Sequence, residues 1–104
     1  MAPQSEAEKP ALAMTGGARL GLFNATWPLA RLSADPKTLK LSVLGKAFIF
    51  PRASVIELIA IKGFISHGLE IKHTQDSYPS RIIFWTFNPS ALKAGLERLG
   101  WRVS

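Results

Sequence analysis

The chain has 104 residues, 47% of them hydrophobic and 19% charged, which suits one small domain with a single apolar core. Its 13 Lys and Arg against 7 Asp and Glu leave +6 at pH 7, favouring anionic partners, although the cations are spread along the chain and form no basic run. With no Cys there is neither a disulfide framework nor a thiolate zinc site, and the longest apolar candidate, Val55 to Ile65, is interrupted by Glu57 and Lys62, short of the roughly 18 apolar residues of a spanning helix.

Met1 to Gly17 carries Pro3, Pro10, Gly16 and Gly17 with no hydrophobic period, and it has neither the basic leader nor the continuous apolar stretch of a secretory signal. Residues 1–17 are therefore expected to be a disordered tail, residues 18–104 the folded domain, and the location cytoplasmic, at most peripheral to a membrane. From Arg19 onward, short β-branched and aromatic segments alternate with turn residues at intervals of about ten, the spacing of an all-β sandwich or barrel.

Leu20 to Ala34 reads as a strand or strand pair bent near Asn24 to Pro28, because proline removes a ladder donor. Ala34-Asp35-Pro36-Lys37 is a turn, with Pro36 supplying a fixed φ. In Thr38 to Val43, Leu39, Leu41 and Val43 alternate with Thr38, Lys40 and Ser42, so one face is buried and the other wet. Gly45-Lys46 turns the chain. Strands follow over Lys46 to Phe50 and Ser54 to Ile61, then a Ser66-His67-Gly68 loop and a strand in which Leu69, Ile71 and His73 share a face. Arg81 to Phe87 is apolar on both faces, as a strand inside a packed sheet must be.

The last element differs in kind. Asn88-Pro89 supplies an N-cap and a proline at the first helical position, where no amide is needed. Leu92, Leu96 and Leu99 then fall on one helix face, Lys93, Glu97 and Arg98 face away, and Gly100 sits where a left-handed cap belongs, with Trp101 placed to pack back. The expected fold class is mainly β with one C-terminal α-helix.

At the residue level, Trp27-Pro28-Leu29-Ala30-Arg31-Leu32, Gly68-Leu69-Glu70-Ile71-Lys72-His73 and Pro79-Ser80-Arg81-Ile82-Ile83-Phe84-Trp85, leading into Leu92, Leu96, Leu99, Gly100 and Trp101, resemble the bacterial pleckstrin-homology-like domains over about residues 20 to 103. The resemblance implies a half-open barrel of two antiparallel sheets capped by the helix. It also implies recognition of a protein or peptide partner through a sheet edge or the loops, with self-association into a homo-oligomer as one form of it. The pleckstrin-homology domains that bind phosphoinositides use cations on the first two strands and their connecting loop, and the corresponding residues here, the candidate ligand-binding set, are Arg31, Lys37 and Lys40. The family's Lys/Arg-x-Arg ending is missing, since Leu41 and Ser42 follow Lys40. Dispersed cations attract an anionic membrane by about 1 kcal/mol each, so weak contact with phospholipid headgroups is the alternative function.

No pattern points to catalysis. Gly45-Lys46-Ala47 fails as a phosphate loop, because position 40 is Lys and Ala47 has no hydroxyl, and no dinucleotide or nucleophile-elbow motif occurs. His67 and His73 are about 20 Å apart along an extended strand, so they do not share a metal ion, and no cofactor is expected. Phe48, Phe50 and Arg52, or Arg81, Trp85 and Phe87, set rings and cations on one strand face as single-strand binders do, but the glycines of an RNA-recognition motif are absent and nucleic acid is not the expected partner.

Overall fold

A computed structural model of the protein describes residues 11–62 and 67–104. Among the described residues seven strands run in chain order: β1 (Leu12–Leu20), β2 (Phe23–Ala34), β3 (Thr38–Val43), β4 (Lys46–Pro51), β5 (Val55–Lys62), β6 (His67–His73) and β7 (Ile82–Thr86). A short 3₁₀ turn, Arg52–Ser54, precedes β5, and the helix α1 (Pro89–Arg98) follows β7. All strand pairs are antiparallel, in the order β4-β3-β2-β1-β7-β6-β5.

The first strand corrects the expected domain boundary. Residues 12–17, read from the sequence as tail, belong to β1, which lies at the centre of the sheet between β2 and β7. The first ten residues lie outside the described residues. The two glycines expected to end the tail are sites of close approach: a Cβ on Gly16 would come within 2.1 Å of the Trp85 carbonyl oxygen, and one on Gly17 within 2.7 Å of the Ala25 carbonyl oxygen.

The same stretch bends the sheet. β1 pairs with β2 from Leu12↔Ala34 to Gly16↔Ala30, then resumes at Ala18↔Ala25, so Thr26 to Leu29 bulge out opposite Gly17. Pro28, which follows a cis peptide bond, sits in this bulge, where its missing amide breaks no ladder. Beyond the bulge the neighbours divide, β3 pairing with Ala30–Ala34 of β2 and β7 pairing with Gly17–Leu20 of β1. One continuous sheet thus becomes the two arms of a half-open barrel.

Inward-facing side chains from both arms meet in one core, in which Leu32, Leu39, Leu41, Phe50, Leu58, Ile71, Ile82 and Phe84 are fully buried. β7 is apolar on both faces for a local reason. Ile82 and Phe84 point into the core, while Ile83 and Trp85 lie on the outer face and fold over Gly68, where a Cβ would sit within 2.9 Å of both.

Helix α1 plugs the open corner with Leu92 and Leu96, each contributing about 1.5–3 kcal/mol by burial. Asn88 caps its start by accepting the Ala91 amide at 3.4 Å. At its end Trp101 N–H donates to the Leu96 carbonyl and Gly100 N–H, at φ +91, to the Glu97 carbonyl, a Schellman pair. Trp101 then swings back into the core and donates its indole N–H to the Asp35 carbonyl at 2.8 Å. Arg52 stacks 4.1 Å from the Trp101 ring and donates to the Pro36 carbonyl, fastening the helix end to the β2–β3 turn. Both outer edges of the sheet are partly occupied. Ser104 bonds to the β5 backbone at Leu58 and Ala60, and side chains of the β6–β7 loop bond to β4 at Ile49.

Candidate functional site

The end of the barrel formed by the β1–β2 turn, the β3–β4 turn and the β6–β7 loop stays open. It holds a cleft of about 510 Å³ whose walls are mostly apolar: Leu20 and Phe23 from the first hairpin, Val43, Leu44 and Phe48 from the second, Tyr78 and Pro79 from the loop. The rings are fixed by contact with one another, Tyr78 meeting Phe48 and Phe50 edge-on at 5.1 and 5.4 Å between centroids. Among the described residues Lys46 is the one cation of the lining, its Nζ 5.6 Å from the centre of the Phe48 ring.

Around this mouth, large apolar side chains face solvent. Leu22, at the tip of the first hairpin, is 96% exposed, Leu44 60% and Phe23 50%. Trp27 and Leu29 on the β2 bulge are about half exposed as well, and the Leu44 amide donates to the Leu29 carbonyl, which places these two leucines side by side. Scattered exposed leucines are ordinary; here several exposed apolar side chains gather around one cleft. Sequence patterning did not reveal this group, because turn tips have no period and their exposure depends on the register that brings them together. The turn expected at Gly45-Lys46 falls one residue earlier, at Leu44-Gly45, which puts a hydrophobic residue at the turn tip.

The basic residues singled out from the sequence occupy a different face. Arg31 on β2 and Lys40 on β3 are exposed on the outside of the sheet, diagonally placed through the pairs Arg31↔Ser42 and Ser33↔Lys40. With Ser33, Thr38, Ser42 and Ile49 they line a shallow concavity of about 380 Å³, to which Asp35 adds an opposing carboxylate. Lys37 is outside this lining: it sits in the turn, where Asp35 Oδ1 accepts both the Lys37 and Thr38 amides at 2.7 and 2.9 Å. The structure therefore brings Arg31 and Lys40 together and leaves Lys37 at the margin.

His67 and His73 lie at opposite ends of β6. His73 is half buried against Phe50 and Tyr78, its Nε2 donating to the Pro79 carbonyl and its Nδ1 accepting the Gln75 amide. Phe48 and Phe50 belong to the core, and Arg52 is engaged with Trp101. No known family model matches the chain, and no curated protein matches it in sequence.

Proposed function

We propose that the protein is a non-catalytic binding module of the pleckstrin-homology-like type its sequence resembles, and that its open mouth receives an apolar segment of a protein or peptide partner. The strand order with a single terminal helix supports the resemblance. The observation that carries the binding reading is Leu44. Leu44 and Gly45 form a two-residue hairpin turn with φ of 51° and 84°, a geometry for which Asn-Gly is the favoured pair. A leucine held there costs about 1–2 kcal/mol over glycine and is mostly in water, so neither backbone preference nor core packing accounts for it. What it does is extend the apolar wall of the cleft toward Phe23.

The test is Leu44→Asn, which suits the turn and removes the apolar side chain. Its thermal midpoint is expected to equal or exceed that of the wild type, while proteins retained from a lysate of the source cells on the immobilised wild-type chain are lost. Retention by the variant equal to wild type would overturn the reading. Sedimentation velocity at rising concentration separates a foreign partner from a second copy of the chain.

The juxtaposition of Arg31 and Lys40 on one exposed face supports a second reading, weak electrostatic contact with anionic phospholipid headgroups through Arg31, Lys40 and the neighbouring Lys37.

A further inference from the structure

We propose that His73 is a proton-sensitive latch on the β6–β7 loop, so that acidification loosens one wall of the barrel mouth. The link to binding rests on the mouth reading above; the latch itself does not. The Pro79 carbonyl oxygen, 2.9 Å from Nε2, can only accept, so Nε2 carries a proton. The Gln75 amide, 3.0 Å from Nδ1, can only donate, so Nδ1 presents its lone pair. Both partners are main-chain groups that cannot exchange roles, and together they fix one neutral tautomer.

A second proton, added at Nδ1, turns that acceptor into a donor facing another donor. The Gln75 bond is lost and the Pro79 bond remains. Rotation of the ring offers little relief, because it lies 5.0 Å from the Phe50 ring and 6.2 Å from that of Tyr78. The strand opposite contributes Val55. Of these neighbours only the Tyr78 phenol is titratable, and its oxygen accepts the Ile49 amide at 3.1 Å. Of the charged residues on the packed elements, Lys46 of β4, Glu57 and Lys62 of β5, Lys72 of β6 and Asp76 and Arg81 of the loop are exposed, and Glu70 of β6 is half-buried, at an odd spacing from His73 that sets it on the opposite face of the strand.

Releasing Gln75 reaches the mouth directly. The Gln75 side-chain amide donates to the Ile49 carbonyl at 3.4 Å, and Tyr78 and Pro79, farther along the same loop, line the cleft. Loss of the latch thus disturbs the cover of β4 and the aromatic wall together.

The test is amide hydrogen exchange with ring ¹⁵N spectroscopy between about pH 7.5 and pH 5, exchange being expressed as protection relative to the unstructured rate at each pH. The ring shifts should show the Nε2–H tautomer at the upper limit. Protection of the Gln75 amide should fall roughly five- to tenfold toward the lower limit, with the midpoint of the His73 ring, and the Ile49 amide should follow. His73→Phe, which keeps a ring in the aromatic cluster, should show low Gln75 protection at both limits, and His67→Phe should behave as wild type. Constant Gln75 protection across the range, or a midpoint different from that of the His73 ring, would overturn the latch even if His73→Phe fails to fold. A latch that titrates while partner retention stays independent of pH would stand, and its link to the mouth would be overturned.

Discussion

Replacing Gly16 by alanine tests whether β1 runs through the middle of the sheet. The new Cβ would lie 2.1 Å from the Trp85 carbonyl oxygen and 2.7 Å from Cζ of Phe84. The first is backbone of a paired strand, which cannot withdraw without parting β1 from β7; the second belongs to a fully buried core ring. Overpacking a core costs about 1–3 kcal/mol, and a contact this short with backbone belongs at the upper end, about 3 kcal/mol. The alanine also restricts the unfolded chain, which returns about 0.4–1 kcal/mol and leaves a net loss of about 2 kcal/mol or more. Gly95→Ala is the counterpart. There the nearest atom is Cδ1 of Leu12 at 2.8 Å, the end of a flexible side chain, and the helix gains about 1 kcal/mol in propensity, so stability should stay near that of the wild type. Urea unfolding of the three proteins at one pH, compared at equal m-value, measures both differences. A folded Gly16→Ala protein within about 0.5 kcal/mol of wild type would refute the central placement of β1.

Leu96→Ala, at a fully buried position on the inner face of α1, should lose about 2–5 kcal/mol, whereas Lys93→Ala, on the exposed face, should change little; similar losses in the same unfolding assay would mean that α1 packs by another face. Lys37→Glu with Lys40→Glu should leave the fold intact and abolish sedimentation with acidic vesicles at low salt, an association already weakened at physiological ionic strength, where exposed charges are screened beyond about 8 Å. Tight vesicle binding unaffected by the double substitution would move any lipid contact away from this face.

What the sequence revealed depended on whether a single segment carried the instruction. Thr38–Val43 shows its buried face by alternation alone, and Leu39 and Leu41 are fully buried while Lys40 is exposed. Asn88-Pro89 and Gly100-Trp101 announce both ends of α1 because capping is local chemistry, and the caps form as the residue types require. β1 was missed for the opposite reason. Gly16 and Gly17 are small because the Trp85 and Ala25 carbonyls press against them, and those carbonyls come from distant or bulged strands that no local window contains. The same limit applies to the candidate site. The outward orientation of Lys40 was legible, whereas the convergence of Phe23, Leu44 and Tyr78 on one cleft depends on three turns meeting at one end of the barrel.

The central position of β1 also orders events during synthesis. A chain made from its N-terminus can pair β1 with β2, β3 and β4 as a meander, but the other side of β1 meets its partner only when Ile82–Thr86 has been added. The barrel corner closes later still, with α1 and the indole of Trp101 reaching back to Asp35. Such non-local pairing slows folding, and until it occurs the strand destined for the middle of the sheet is an open edge available to other chains. Until Ile82–Thr86 has been added, β1 therefore has no partner on its second side.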